Sequence, residues 1–359
     1  MKYIGKVLGW GLMCVNSLIS FLLLLSAFSP YINPLKHSIL SCSGLAFPAF
    51  FFLNMLFLLF WLVCYKKYSF ISIIAIVLSF PALRTYCPLN LFSAKPKDKS
   101  IKILSYNTMA FGKGEKDANG KYPVLEYIKN SDADIVCVQE YIPANGLTEK
   151  KINNILSSYP YKSFYSIASH TNGLGIFSRY PILSSKVIKY DSNANASVAY
   201  QLKIDGDTVV VINNHFESNK LTEDDKAIYK DMIIDPDKEK VKQGSKLLIG
   251  KLAQASKIRA SQADSVAKFI ASVSGKTIIA CGDFNDSPLS YTHHVMSRYL
   301  NDAFVDSGKG LGISYNKNGF YFRIDHIMVS PDLTTYECTV DKSIKDSDHY
   351  PIWCYISKK

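Results

Sequence analysis

The first 92 residues contain no aspartate and no glutamate, although the 359-residue chain has 30 acidic residues in all. Only six cations interrupt that stretch: Lys2, Lys6, Lys36, Lys66, Lys67 and Arg84. The remainder holds 35 basic and 30 acidic residues, a net charge of about +5 that is only a weak pointer to an anionic partner. Cysteine order is missing as well. Eight cysteines are present, but no Cys-x-x-Cys and no Cys/His spacing suited to zinc. Cys14, Cys42 and Cys64 fall in apolar runs and Cys137 and Cys281 in strand-like ones, so buried free thiols are expected and a disulfide framework is not. Internal repeats and low-complexity tracts are absent.

What the first region has in excess is long apolar sequence. No charge occurs from Val7 to Leu35, or from His37 to Tyr65. Each stretch exceeds the roughly 20 apolar residues that cross a bilayer, which predicts spans at about 8–28 and 40–64. A third run, 68–83, has 16 residues between Lys67 and Arg84; it is short, and spans only if the flanking cations snorkel. Lys2 and Lys6 resemble the start of a signal peptide, but the run behind them is too long for one and further apolar segments follow, so residues 1–92 are expected to stay as a multi-pass membrane region. Lys2, Lys6, Lys66 and Lys67 favour the inner side, and three crossings then place everything after residue 92 outside the cytoplasm. Arg84, Lys95, Lys97 and Lys99 oppose that orientation.

Residues 93–100 form a polar linker with one proline, and a single domain is expected over 101–359. Strand-like runs occur at 101–106, 135–138, 175–177, 208–213, 277–280 and 326–329, with helical patterns at 121–130 and 252–273. Alternation of this kind indicates mixed α/β layers. The charged stretch 217–251 reads as a long, partly helical surface excursion.

Polar clusters stand where these strands end: Ser105-Tyr-Asn107, Gln139-Glu140, Asn213-Asn-His215, Gly282-Asp-Phe-Asn285, Arg323-Ile-Asp325 and Ser347-Asp-His349. Each alone suits a turn. Their order, together with Gly173-Leu-Gly-Ile-Phe-Ser-Arg-Tyr-Pro-Ile182, resembles the endonuclease/exonuclease/phosphatase superfamily over residues 99–357. The resemblance implies an α/β fold, a four-layer α/β/β/α sandwich of two packed mixed sheets flanked by helices, here preceded by transmembrane helices. It also implies a phosphoester hydrolase with its cleft where the strand ends meet.

Residue chemistry supports the same reading. Phosphodiester hydrolysis needs an activated water, relief of phosphoryl charge and help for the leaving oxygen. A hard cation such as Mg²⁺, with Mn²⁺ as the alternative, takes oxygen ligands, for which Asn107, Glu140 and Asp348 are the candidates. By resemblance, Asp283 orients or deprotonates water, Asn285 contacts the phosphate, and His349 contacts the scissile group with Asp325 behind its ring. His215 takes the leaving-group side. His326 should face away from Asp325, and His293 and His294 are expected at the surface; His170 and Asn172 are candidates for lining the cleft, and Arg259 for supporting it from behind. The substrate class stays open between nucleic acid, a phospholipid or sphingomyelin-type headgroup, and a phosphomonoester, with a catalytically silent anion-binding module as the non-enzymatic alternative. No motif points to a protein partner.

Overall fold

The computed structural model describes residues 2–91, 94–167, 172–234, 237–317 and 319–359. The apolar start of the chain forms α1 (Lys2–Ala27), α2 (Pro34–Ser41), α3 (Phe47–Cys64), α4 (Ser69–Leu78) and α5 (Phe80–Tyr86). Two segments, Gly9–Ala27 and Pro34–Cys64, are long and apolar enough to cross a membrane; the run from Lys66 to Tyr86 qualifies only as a pair of helices bent by 52°. Pro81, in the first turn of α5, lacks the N–H that would continue the ladder of α4.

These helices are tied by polar groups that hydrocarbon cannot solvate. Asn16 Nδ2 donates to Ser72 Oγ at 3.0 Å, Trp61 Nε1 donates to Asn16 Oδ1 at 2.9 Å, and Ser20 Oγ donates to Asn54 Oδ1 at 2.7 Å. Further along, Leu23 and Ala27 share an apolar cluster with Phe47, Ala75 and Leu289. The end of α1, the start of α3 and the region of α5 therefore all face the C-terminal region. The expected span 40–64 is divided accordingly. Residues 47–64 are the helix α3, whereas 29–46 lie on the C-terminal region, where Ser29 Oγ donates to Leu289 O at 2.8 Å and Ser41 Oγ is 3.4 Å from Ser256 Oγ. On the other side, Asn90 Nδ2 donates to Gly308 O at 2.7 Å and Arg323 donates to Thr85 O.

The C-terminal region contains strands β1 (Ile101–Asn107), β2 (Ile135–Gln139), β3 (Tyr161–Ser166), β4 (Gly173–Ser178), β5 (Ile182–Ile188), β6 (Ala196–Ile204) and β7 (Asp207–His215). It continues with β8 (Thr277–Asp283), β9 (Asn301–Asp302), β10 (Tyr315–Lys317), β11 (Phe320–Phe322), β12 (Asp325–Val329), β13 (Leu333–Val340) and β14 (Ile352–Lys358). Helices α6 (Met109–Lys113), α7 (Pro123–Asn130) and α8 (Glu149–Ile155) precede β4, and α9 (Glu223–Ile234), α10 (Lys238–Ser272), α11 (Tyr291–Ser297) and α12 (Ala303–Ser307) follow β7. One sheet runs β13-β14-β1-β2-β4-β3 and the other β5-β6-β7-β8-β12-β9. Both are mixed: β1 with β2 and β7 with β8 are parallel pairs, among antiparallel neighbours.

Strand alternation builds three cores from these two sheets. Ile103, Cys137, Val211, Ile279, Cys281 and Ile327 meet between the sheets. Their odd-even neighbours point outward: Leu104 and Val136 pack with Val124 and Ile128 of α7, while Ile212, Ile278 and Ala280 pack with Ala263, Val266 and Ile270 of α10. The result is the four-layer α/β/β/α sandwich. Within the 217–251 excursion lie α9 and the start of α10, up to Lys251.

Candidate functional site

Period-two alternation also decides which polar residues converge. Asn107 continues the inward series of Ile103 and Ser105, His215 that of Val211 and Asn213, and Asp283 that of Ile279 and Cys281. Asp325 begins β12 on the face of Ile327, and register pairs it with Asp283, which also pairs with His215. All four reach one edge of the sandwich. At that edge the backbone bends sharply. Glu140 and Asn285 both hold left-handed dihedrals, with φ of 51° and 52°, a conformation that L-residues keep only where the surroundings enforce it.

The side chains make one buried network. Asn107 Nδ2 donates to Asp283 Oδ2 at 3.0 Å and to Glu140 Oε1 at 3.2 Å, while Asn107 Oδ1 accepts from Met109 N–H at 3.2 Å. The amide thus turns its nitrogen, not the expected carbonyl oxygen, toward the carboxylates. Asp283 also accepts from the backbone N–H of Asn285 at 2.8 Å and from its Nδ2 at 3.2 Å. His349 Nδ1 lies 2.8 Å from Asp325 Oδ2, and Nε2 of both His349 and His215 is 3.7 Å from Asp283 Oδ2. Asp348 lines the same cleft of about 300 Å³.

Charge in this network follows from burial against partners. Burial disfavours the His349 cation, but the carboxylates of Asp325 and Asp283 outweigh it and push the pKa up to about 10. His215 goes the other way: burial lowers its pKa despite Asp283. Burial raises Asp283 and Glu140 against the pull of His349. The tautomer of His215 can be read from its neighbour. Asn172 Oδ1 accepts from Gly173 N–H at 2.7 Å, so its Nδ2 faces His215 Nδ1 at 3.2 Å, which must accept and leaves the proton on Nε2.

The remaining sequence candidates sort as follows. Arg259 is buried, donating through Nε to Asp286 Oδ2 at 3.0 Å and through Nη1 to Glu217 O at 3.0 Å, which ties the segment after His215 to α10. His326 faces away from the cleft, its Nε2 3.1 Å from Asp286 O and its ring against Phe284. His170 lies outside the described residues. The surface expectation for His293 is corrected: the residue is buried, with Nε2 2.8 Å from Asp302 Oδ2, because α10 and the turn at Ser29–Tyr31 cover α11. His294 is half-buried against the Tyr31 ring at 4.5 Å. Sequence reasoning missed Ser41, Cys42 and Leu45, which line the cleft although they belong to the membrane region; no local motif marks them.

Residues 104–349 match the sequence profile of the endonuclease/exonuclease/phosphatase family, more than half of the chain. The chain belongs to this family. Residues 6–86 match a second profile, described as a domain of unknown function. A curated relative, the inositol phosphosphingolipids phospholipase C of Schizosaccharomyces pombe, is 26% identical over 214 residues, 58% of this chain and 47% of that protein. The chain thus matches about half the length of that relative. Among solved structures, the human Nocturnin catalytic domain with bound sulfate superposes with a TM-score of 0.54 at 16% identity, covering 74% of this chain and 97% of that one. A family member from Beutenbergia cavernae gives 0.52 at 14% identity, covering 72% of each chain. These likenesses establish the two-sheet fold. Members of the family are typically hydrolases of phosphoester bonds and generally depend on divalent metal.

Proposed function

We propose that this chain is a membrane-anchored hydrolase of phosphodiesters that works with a divalent cation. The observation that carries the reading is the convergence of Asn107, Glu140, His215, Asp283, Asn285, Asp325 and His349, from strands of both sheets and the loops that adjoin them, on one buried network. The donor set fits a hard cation: it is rich in carboxylate oxygen, contains no thiolate, and Asp325 Oδ1 is buried with no hydrogen-bond partner among the described residues. Glu140 and Asp348, beside Asn107, would hold Mg²⁺ or Mn²⁺; when bound, the cation supplies positive charge to the phosphoryl oxygens.

The chain's own residues account for the rest. His349 is an imidazolium at neutral pH, held by Asp325 with Nε2 toward Asp283, and acts as a donor to a phosphoryl oxygen in the cleft between them. Asp283, braced by Asn107 and Asn285, orients the attacking water and receives its proton. His215 stays neutral with its proton on Nε2, and stabilises the leaving oxygen by a hydrogen bond from that N–H as the phosphorus–oxygen bond breaks, with solvent supplying the oxygen's proton.

The same reading includes a multi-pass anchor. The end of α1 and the region of α5 both lie against the catalytic domain, whereas Lys66 and Lys67 sit at the opposite end of the bundle, between α3 and α4. On this reading the chain crosses three times with the basic turn inside, and the catalytic domain is extracytoplasmic. The test of activity is direct: full-length protein in detergent should hydrolyse bis(4-nitrophenyl) phosphate with Mg²⁺ or Mn²⁺ and lose this on chelation and in Asp283→Asn. Metal-independent turnover, or none on any phosphodiester or phosphomonoester, would overturn the reading.

A further inference from the structure

The cleft lining combines two kinds of surface. Glu140, Asp283 and His349 share it with an apolar set, Leu45, Leu252, Leu289, Phe320, Phe322 and Ile324. Leu45 comes from the membrane region, outside the stretch that matches the family profile. It sits on a seat with little freedom. Adjacent Gly44 is packed so closely that an added Cβ would fall 2.3 Å from Leu289 O, and Ser29 Oγ holds that same carbonyl. Phe320 of β11 is held too, against Tyr229 of α9 at 4.7 Å between ring centroids.

Two further observations bear on what covers the apolar set. The segment that supplies Leu45 also exposes Leu35, Ile39 and Leu40, and it belongs to Pro34–Cys64, which is long and apolar enough to cross a membrane. Among the described residues that line the cleft, the cations away from the polar network are Lys220, paired with Glu217 at 2.6 Å, and Arg259, paired with Asp286 at 3.0 Å. A polynucleotide track needs a run of available Lys or Arg for successive phosphates. This lining offers one cluster of polar groups and a larger set of apolar side chains.

Resting on the phosphodiesterase reading, we infer that the substrate is a lipid phosphodiester whose acyl chain lies against Leu45, Leu252, Leu289 and Phe320. The anchor is then a wall of the binding site as well as a tether. The phosphodiester seats at His349 and Asp283, and the chain runs toward the bilayer along the anchor. Burying one methylene favours binding about fourfold, from roughly 0.8 kcal/mol.

The test uses full-length protein with Mg²⁺ and monomeric phosphatidylcholines whose chains lengthen from four to seven carbons, each below its micelle concentration, beside bis(4-nitrophenyl) phosphate. Wild-type kcat/KM should climb with each added carbon. In Leu252→Glu the ratio of lipid to bis(4-nitrophenyl) phosphate turnover should fall about tenfold or more, and Leu252→Phe should restore most of it. A flat chain-length series, an unchanged ratio, or faster cleavage of an oligonucleotide than of any lipid would overturn the lipid inference while leaving a phosphodiesterase. Failure on bis(4-nitrophenyl) phosphate as well would instead remove the parent reading.

Discussion

At the scale of single residues, the candidate site sets burial against specific partners. His349 keeps its charge only because Asp325 and Asp283 face it, whereas His215, at similar depth, is held neutral. His349→Ala should therefore lower kcat by on the order of 10²-fold, the usual loss when one preorganised donor to a developing charge is removed. His215→Ala should cost less, and His326→Ala little per folded molecule, since His326 lies on the helix side of β12. Rates normalised to folded protein check the order; His349→Ala within a few-fold of wild type would remove it from the reaction. Glu140→Gln keeps the shape and loses a charge. Its rate should need a higher Mg²⁺ concentration to saturate, read from a titration of metal against rate; an unchanged curve would take Glu140 out of the metal site.

Elements depend on positions that look unremarkable. Gly282 sits at φ of 135° where β8 passes β7, and a Cβ there would lie 1.9 Å from Asn214 O. Gly282→Ala should cost stability at the level of several kcal/mol, because it adds strain in a left-handed conformation to a backbone clash, and should carry His215 and Asp283 out of register together. Chemical denaturation measures the first and residual turnover the second. A second element-level device is the pair that pins α11 to β9. Burial opposes the charge of Asp302, but the hydrogen bond from His293 and the nearby His326 hold its pKa well below the ordinary value. Burial lowers His293 as well. Both groups bind fewer protons folded than unfolded, so their stabilisation is complete above about pH 6.5 and is lost as pH falls, first through His293 and then Asp302. Asp302→Asn should destabilise by about 1–2 kcal/mol at pH 7.5, the scale of weakening a hydrogen bond to a charged group, and flatten the acid limb of the unfolding midpoint; an acid limb as steep as wild type would contradict the assignment.

For the whole molecule, the arrangement of anchor and domain is the feature with the widest consequence. Reporter fusions at residue 100 should be active outside the cytoplasm, as expected from α1 and the α4–α5 pair both ending against the catalytic domain. A fusion active only inside would mean that the bent pair re-enters instead of crossing. The docked segment 29–46 also predicts that cutting the chain after residue 92 exposes Leu289 and the α11 face, so a fragment without the anchor should aggregate or unfold more readily than the full chain in detergent. Thermal melts of the two species make the comparison.

Sequence alone determined the apolar N-terminal helices, the layered α/β class and most members of the candidate site, because those signals are local. A bilayer demands long uninterrupted runs, a two-sided sheet demands alternation, and the polar clusters stand at strand ends where Asn107, Glu140, His215, Asp283, Asp325 and His349 are written in plain order. Edge strands were less legible: β3 and β5 have one neighbour each, keep polar or exposed residues such as Lys162, Ser184 and Ser185, and carry no clear alternation. His293 read as surface because helix burial depends on what covers the helix. Tertiary structure alone decided which groups meet at under 4 Å, which histidine is charged, and that Leu45 of the anchor shares a cleft with Asp283. Those facts depend on distances between residues hundreds of positions apart, which packing sets and no local pattern encodes.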